Sequence, residues 1–557
     1  MKRTFFLLLL GVSLIGARTF GQESRLVVLI SIDQFRYDYL ARFDHALTKG
    51  GFAYFLQNGA NFTNAHYEHS ETSTGPGHAV LLSGTYACQN GIVQNTWYDR
   101  KKKRPVYCME DETATIIGAG GKGRSPALLL GSTFGDELRI GTGFQAKVVS
   151  VSLKDRAAIP MGGKLANAAY WLVDSSFATS SYYLSELPGW VKKFNRSSIV
   201  RSYLGRTWRE ALPEHYYREL DRDDAPYEKD HHGLGRTFPH PVTGSHPGEM
   251  NRSYYEALRS SPFGNDLVGT FAREALLHER LGQRNTTDLL CIGFSSHDYA
   301  CHAFGPQSHE VLDMTVRADS LLRDFLTFLD THVGLERCTI VLTSDHGVAP
   351  VPEYILTHRE GADAGRIPVA SVRAICEEAL ENRFGREDQA EPIIEQIQGW
   401  NIHLNLNALA ERGLSAEVVA RTLADSLLAR EEIAYAFTFA QLLSETPGSS
   451  VERRVKNSFY PLRSGHVVFV LKPFHLLSSG STGTGHGSPY AYDAHVPLIL
   501  LGPGIRPGSY ASKASPADIA PTLSTLLGVE FPAQQAGRVL HEALMAGQEI
   551  RKGDSIR

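Results

Sequence analysis

The sequence predicts an α/β protein with a central, largely parallel sheet flanked by helices and carrying inserted cap elements. Short apolar runs rich in β-branched residues recur along the chain, and each ends at a polar, chemically capable residue. Segments with the helical spacing of apolar residues separate these runs. Because the runs do not alternate with polar residues, they are typical of strands buried on both faces of a parallel sheet.

Four of these runs are predicted strands that lead into functional groups. The working groups of an open α/β sheet lie just beyond the carboxyl ends of its strands. The runs cover residues 26–32, 148–153, 289–294 and 339–343, and they lead into Asp33, Lys154, residues 295–298 and residues 344–347. We therefore expect these groups to meet at one edge of the sheet.

Two helices are predicted with defined ends. Apolar residues recur at helical spacing from His309 to Leu329, with charged residues between them. A second helix is predicted to begin at Ser515, a favourable N-cap followed by Pro516, and to end at Gly528.

The chain of 557 residues is interpreted as one domain with insertions. A chain of this length often forms a single insertion-rich α/β domain. The predicted domain covers residues 22–557, with cap-forming insertions at about 160–270 and about 355–465. The formal net charge of −4 provides no basic field for nucleic acid, and the basic run 100–104 is interpreted as a solvated turn.

The N-terminus predicts export. Lys2 and Arg3 precede an apolar run over residues 5–15, which is the pattern of a signal peptide covering residues 1–21. The alternative is an uncleaved anchor helix. No later segment has an apolar run long enough to cross a bilayer, so no stable membrane insertion is expected and the predicted location is periplasmic or secreted.

The six cysteines permit disulfides in an exported protein. Cys88 and Cys108 bracket a loop-like stretch and are the favoured pair, although the pairing stays open. No two cysteines have the CxxC spacing, which argues against a cysteine-ligated zinc site.

Several aspartates and histidines have a pattern that suits a metal site. Asp298 and His302 are four residues apart and share one face of a helix. Asp33 and the pair Asp345-His346 follow predicted strands, and His486 lies in a glycine-rich segment. Oxygen and nitrogen donors of this kind suit Zn²⁺, without excluding Mn²⁺ or Fe²⁺.

A threonine-rich segment identifies a family. Residues 72–78 read Thr-Ser-Thr-Gly-Pro-Gly-His. This segment resembles the nucleophile segment, T-x-T-x-P-x-H, of the alkaline phosphatase superfamily, closest to its PafA-type phosphatases in the phosphodiesterase/nucleotide pyrophosphatase branch. Residues 90–98 resemble the segment that follows it, except that Asn90 replaces the usual histidine. The likeness extends from about residue 25 to about residue 530.

The resemblance implies a covalent mechanism at two zinc ions. Thr74 is the implied nucleophile, which forms a phosphothreonine intermediate, and Asn95 is the implied phosphate-binding asparagine. The implied ligands are Asp33, Thr74, Asp345 and His346 for one zinc, and Asp298, His302 and His486 for the other. Two metal ions about 4 Å apart clamp the attacking and leaving oxygens of an in-line displacement. His78 is implied to be structural, and Asp493 and His495 are expected to orient ligands.

Lys154 and Arg156 favour phosphate monoesters as substrates. They resemble the K-x-R pair of the PafA-type enzymes, which phosphodiesterase relatives generally lack. Positions two apart on an extended strand end point to one side, so both side chains are expected to reach one phosphate. Two added positive charges suit a monoester dianion better than a diester monoanion.

The sequence therefore predicts an exported alkaline phosphatase that acts on small phosphate monoesters, with no protein partner evident. The alternatives are a phosphodiesterase or nucleotide pyrophosphatase of the same superfamily and a non-catalytic metalloprotein that binds phosphorylated ligands. The sequence contains no C/S-x-P-x-R motif, which sulfatases use. Thr74 and the export signal argue against cofactor-independent phosphoglycerate mutases, which use serine and manganese.

Overall fold

The computed structural model describes residues 24–385, 391–444 and 446–545 of the chain. The predicted signal peptide over residues 1–21 therefore lies outside the described residues. Among the described helices, none is both long and apolar enough to span a membrane.

A ten-stranded mixed sheet forms the centre of the protein. Numbered in chain order, its strands are β1 (Leu26–Ile32), β2 (Ala60–Phe62), β3 (Ile116–Ile117), β4 (Val148–Ser152), β5 (Ala168–Val173), β6 (Ser176–Ser180), β7 (Asp288–Phe294), β8 (Cys338–Thr343), β9 (Leu498–Leu501) and β10 (Gly508–Tyr510). Their order across the sheet is β10-β2-β9-β8-β1-β7-β4-β5-β6-β3. The α/β prediction is confirmed.

The four predicted strands are neighbours. β8, β1, β7 and β4 lie side by side and are all parallel. The observed bounds of β1 match the prediction, and the other three strands shift by one residue at an end. Since parallel strands end at the same edge, the residues that follow them are brought together.

Both faces of the sheet are buried, because the apolar runs are continuous. In β1, Leu26, Val28 and Ile30 belong to one hydrophobic core, whereas Val27 and Leu29 belong to a second core on the opposite face. Successive side chains of a strand point to opposite faces, so only a continuous apolar run fills both cores.

Helices pack on both faces of the central sheet, and others form part of the inserted segments. They are Tyr39–Arg42, Phe52–Asn58, Thr74–Ser83, Ala87–Asn90, Phe134–Gly141, Asp155–Gly162, Gly189–Arg196, Arg252–Arg259, Pro262–Glu279, Ser296–Phe304, His309–His332, Pro352–His358, Val369–Phe384, Leu406–Glu411, Ala416–Leu428, Phe439–Leu443, Ser450–Ser458, Ala491–Ala494 and Ile519–Leu527.

The two predicted helices are present. The first runs over His309–His332. Ser515 caps a 3₁₀ turn, Pro516–Asp518, which continues into the helix Ile519–Leu527. Gly528 ends that helix with a φ of 66°, a left-handed conformation that glycine adopts without strain.

A second sheet forms within and just beyond the segment 355–465. We call it the small sheet; its strands are Ile394–Gln398, Asn401–Leu404, Val467–Leu471 and Ile433–Thr438, in that spatial order. It has a hydrophobic core of its own with the helices Val369–Phe384 and Ala416–Leu428. The remaining strands form pairs, Thr96–Asp99 with Arg104–Tyr107, Thr207–Trp208 with His240–Pro241, and Gly365–Ile367 with His475–Leu477. The segment 160–270 includes β5 and β6, so the central sheet itself extends into that predicted insertion.

The favoured Cys88–Cys108 disulfide is not formed, and all six cysteines are free thiols. Cys88 packs at the edge of one core cluster, whereas Cys108 is fully buried in another. Burial raises the pKa of Cys108 to about 12. Cys108 is a packing residue, because a Cβ placed on Gly75 would lie 3.0 Å from its sulfur.

Candidate active site

The residues that follow β1, β4, β7 and β8 converge at one edge of the sheet. Asp33 follows β1, Lys154 follows β4, Asp298 lies in the helix after β7, and Asp345 follows β8. This is the carboxyl edge at which open α/β sheets bind ligands.

The first candidate metal group consists of Asp33, Asp345 and His346. One ligand atom from each lies within 4.8 Å of the others, and all three side chains are fully buried. His346 Nε2 lies 3.6 Å from Asp33 Oδ1 and 3.4 Å from Asp345 Oδ2.

The second candidate metal group consists of Asp298, His302 and His486, again with ligand atoms within 4.8 Å. Asp298 and His302 lie one turn apart on the helix Ser296–Phe304, with 3.2 Å between Oδ1 and Nε2. His486 comes from a distant loop and places its Nε2 3.8 Å from Asp298 Oδ1. The structure thus brings together all six aspartates and histidines that the sequence predicted as ligands.

Each of the three histidines presents Nε2 to its group. In each ring, Nδ1 lies within hydrogen-bond distance of a backbone carbonyl. The contacts are His302 with Thr484 at 2.9 Å, His346 with Gly347 at 2.8 Å and His486 with Thr72 at 2.7 Å. A carbonyl only accepts, so Nδ1 carries the proton and Nε2 keeps its lone pair for a cation.

These two groups fit divalent cations. Asp33 Oδ1 and His346 Nε2 are buried and have no hydrogen-bond partner among the described residues. Burial and the negative charge of Asp345 raise the pKa of Asp33 to about 8. A bound cation would offset both the cost of burying the Asp33 carboxylate and its repulsion from Asp345, since buried carboxylates require a positive partner. The donor set of carboxylate oxygens and imidazole nitrogens suits Zn²⁺.

Gln34 links the two groups and was missed by the sequence analysis, because an amide is not an expected ligand. Its backbone N–H donates to Asp345 Oδ1 at 3.0 Å, and its side-chain Nε2 donates to Asp298 Oδ1 at 2.7 Å. Its φ of 63° is left-handed, a strained conformation for a non-glycine residue. Its position directly after Asp33 was the one available signal.

Thr74 is the first residue of the helix Thr74–Ser83. Thr74 is 1% exposed and lies at the positive end of the helix, where anions bind favourably. Asn95 Oδ1 accepts a 2.7 Å hydrogen bond from the backbone N–H of Gly75, which leaves its NH₂ group to donate elsewhere.

The nucleophile helix rests directly on the first metal group. His78 Nδ1 lies 2.9 Å from Thr74 O and 3.0 Å from Asp345 Oδ2, which agrees with a structural role. Gly77 is in closer contact still, since a Cβ at this position would overlap the carbonyl oxygen of Asp345.

We therefore expect Gly77→Ala to lower the free energy of unfolding by about 1–3 kcal/mol, because the added methyl group must displace buried backbone. Gly120→Ala is the matched control, since nothing lies within 4 Å of its Cβ position. Urea unfolding followed by fluorescence measures both variants. Equal midpoints for the two would contradict this close packing.

Lys154 lies between the two metal groups. Its Nζ is 2.7 Å from Asp33 Oδ2, 2.5 Å from Asp298 Oδ2 and 3.5 Å from Thr74 Oγ1. Burial alone would lower the pKa of Lys154, but the charges of Asp298 and Asp33 outweigh it and raise the pKa above its usual value. Lys154 therefore remains protonated beside the Thr74 hydroxyl.

Lys154 and Arg156 were predicted to lie on an extended strand end, and that placement was wrong. β4 ends at Ser152, Lys154 is the N-cap of the helix Asp155–Gly162, and Arg156 lies in its first turn. Lys154 Nζ lies 4.8 Å from the ring centroid of Tyr299. Arg156 Nε is buried without a hydrogen-bond partner among the described residues, so it has a donor available for a ligand.

Asp493 and His495 contact residues other than the six candidate ligands. Asp493 Oδ2 accepts from the backbone N–H and the hydroxyl of Ser488, at 2.9 and 2.6 Å, and so fixes the loop that follows His486. His495 stacks on His66, with 4.3 Å between ring centroids.

The model of a family described as type I phosphodiesterase / nucleotide pyrophosphatase matches residues 27–379, more than half of the 557-residue chain. Three curated relatives align over nearly their whole length. Alkaline phosphatase PhoV of Synechococcus elongatus is 33% identical and covers 93% of both chains. Alkaline phosphatase PafA of Elizabethkingia meningoseptica is 31% identical, over 96% of this chain and 98% of PafA. A protein of Myroides odoratus named calcium-transporting ATPase is 31% identical, over 94% and 95%.

The crystal structure of wild-type PafA superposes with a TM-score of 0.87 at 31% identity, covering 94% of this chain and 99% of PafA. A second PafA structure, also at a TM-score of 0.87, is of a mutant with a threonine, an asparagine, a lysine and an arginine substituted. Those residue types occur in the same order here as Thr74, Asn95, Lys154 and Arg156.

Proposed function

This chain belongs to the type I phosphodiesterase / nucleotide pyrophosphatase family, and on that premise we propose that it is an alkaline phosphatase hydrolysing small phosphate monoesters. The observation that carries the proposal is the position of Lys154. Its Nζ lies 3.5 Å from the Thr74 hydroxyl and contacts Asp33 and Asp298, one carboxylate from each candidate metal group. The alkaline phosphatase names of two relatives support it.

The two ligand groups would hold two Zn²⁺ ions, with Thr74 as a further ligand of the Asp33–Asp345–His346 group. When bound, these ions supply positive charge that activates the hydroxyl and stabilises the leaving oxygen. The fit rests on the unpaired Asp33 Oδ1 and His346 Nε2 and on the orientation of all three histidines.

The chain's own residues perform the remaining steps. Thr74 Oγ attacks phosphorus while the P–O bond to the alcohol breaks, which gives a phosphothreonine and releases the alcohol. Water then cleaves the phosphothreonine P–O bond, which releases inorganic phosphate and restores the Thr74 hydroxyl. The Asn95 NH₂ group donates to a phosphate oxygen, since its Oδ1 is already engaged with Gly75. Lys154 and Arg156 add positive charge around the nonbridging oxygens, where the monoester dianion gains most.

The phosphodiesterase is the main alternative, because the family model itself bears that description. It would require less positive charge around the phosphate than Lys154 and Arg156 provide. A non-catalytic phosphate-binding role is disfavoured, since Thr74 and all predicted ligands are present.

We further propose that residues 1–21 direct export, which would place the enzyme in the periplasm or outside the cell.

The test compares kcat/KM for p-nitrophenyl phosphate and bis-p-nitrophenyl phosphate on zinc-loaded mature protein. We expect a ratio of at least about 100 in favour of the monoester, given the charge that surrounds the phosphate. ATP is a useful third substrate because one relative is named an ATPase. A ratio below one would assign the chain to the phosphodiesterase alternative.

A further inference from the structure

A cavity of about 230 Å³ lies between the small sheet and the loop that carries His486. Its wall includes Glu71, Trp400, Phe459, His486 and Tyr490. A cavity of about 150 Å³ is large enough to bind benzene, so this space accommodates an aromatic ring.

The cavity borders the second candidate metal group, because His486 belongs to that group and lines the cavity. In an in-line displacement the attacking and leaving oxygens lie on opposite sides of phosphorus. The Thr74 helix packs on the Asp345 group through Gly77 and His78. The leaving oxygen is therefore directed towards the other group, which contains His486.

The cavity loop is also tied directly to the nucleophile segment. Thr72 Oγ1 donates to Ser488 O at 2.9 Å, and His486 Nδ1 donates to Thr72 O at 2.7 Å. Thr72 is two residues before Thr74, so a group bound in the cavity contacts a loop that is hydrogen-bonded to the nucleophile segment.

Trp400 reaches the cavity from the small sheet. It lies in the turn between the strands Ile394–Gln398 and Asn401–Leu404. That turn packs against the residue that precedes Asn95, because Gln94 Nε2 donates to Gln398 O at 3.4 Å. The same Gln94 nitrogen donates to Glu71 Oε2, on the cavity wall, at 3.3 Å. Gly399 has a φ of 56°, and a Cβ there would overlap Gln94 Nε2, so the turn needs glycine to approach this closely.

The Trp400 ring is available to a ligand. Its indole nitrogen lies 3.2 Å from the Cβ position of Gly487, the residue after His486. Its ring packs edge-on against Phe469, with 5.7 Å between centroids. Trp400 is half-buried, and its N–H donates no hydrogen bond to any part of the chain that the structure describes. An indole N–H with no partner in the chain can donate to a ligand.

We propose that Trp400 and this cavity form a leaving-group subsite that favours aryl phosphates over small alkyl phosphates. The inference rests on the proposed monoesterase function and names the substrate class of that same site. Trp400 is a specificity-determining residue and takes no part in the chemistry. A flat aromatic leaving group gains stacking contact with the indole, whereas an ethyl group does not.

The test measures kcat/KM for phenyl phosphate and ethyl phosphate with wild type, Trp400→Ala and Trp400→Phe. For each ester, kcat/KM of the variant is divided by kcat/KM of wild type, which cancels the intrinsic reactivity of that ester. We expect Trp400→Ala to lower kcat/KM for phenyl phosphate about tenfold and for ethyl phosphate less than about twofold. Trp400→Phe retains an aromatic face and should recover most of the loss. The inhibition constant of phenylphosphonate relative to ethylphosphonate should rise by a similar factor in Trp400→Ala, as a readout of binding alone.

Equal losses on both esters would overturn the inference, because they would show that Trp400 supports the fold of the site and not one leaving group. Unchanged values for both esters would overturn it as well. In either case wild-type hydrolysis would leave the proposed function intact. Wild-type protein that hydrolyses neither ester would remove the proposed function and, with it, this inference.

Discussion

Thr74→Ala is expected to lower kcat/KM for p-nitrophenyl phosphate by about 10⁴-fold or more. The substitution removes the one hydroxyl that lies at the helix start beside Lys154, at 3.5 Å from its Nζ. Loss of a nucleophile from an otherwise complete site typically costs between about 10⁴ and 10⁶ in rate. The fold should persist, because the change removes only a hydroxyl and a methyl group at the first residue of the helix.

Thr74→Ser is the matched control, since it retains a hydroxyl at the same position. Acid quenching during turnover should trap phosphate on wild type and on Thr74→Ser, and none on Thr74→Ala. Metal analysis should find about two zinc ions per chain in all three proteins. Near-normal turnover in Thr74→Ala with zinc intact would show that another group attacks phosphorus.

The second large effect is expected for the double substitution of Lys154→Ala and Arg156→Ala. We expect kcat/KM for p-nitrophenyl phosphate to fall by about 10³-fold, and for the diester by about tenfold or less. Loss of one preorganised donor costs about 10²–10³. A monoester dianion carries one more negative charge than a diester, so it loses more when both cations are removed.

The chain offers a matched control for that experiment. Lys102 and Arg104 have the same residue types and spacing at the surface, where the strand Arg104–Tyr107 begins and where both pair with Glu112. Lys102→Ala with Arg104→Ala should leave both activities within about twofold, since surface ion pairs contribute little. Because Lys154 also contacts Asp33 and Asp298, zinc content is measured for every variant. Equal losses on monoester and diester at full zinc content would contradict the charge argument.

The local sequence was sufficient to identify the four parallel strands that lead into the site. Continuous apolar runs mark strands buried on both faces, which is why β1 was predicted with its observed bounds. Ser515 and Gly528 marked helix ends because their capping chemistry is local. The order of Asp33, Thr74, Asp298, Asp345 and His486 along the chain was enough to recognise the family resemblance.

Local sequence patterns gave wrong predictions where contacts between distant segments of the chain determine the structure. Lys154 and Arg156 were placed on a strand end, but a helix begins between them. Cys88 and Cys108 are close in sequence and pack in different cores. No sequence signal connected Trp400 with His486, because the two are joined only by the docking of the small sheet.

The sequence by itself therefore determined the secondary structure of the core and the set of residues capable of the chemistry. Only the tertiary structure decided which of those residues meet and how each side chain is aimed. The carbonyls that orient the histidines, the strained Gln34 and the position of Lys154 between two carboxylates all arise from loops far apart in the chain. Burial and backbone propensity are encoded locally, whereas such contacts depend on strand order and on the close packing of loops at one sheet edge.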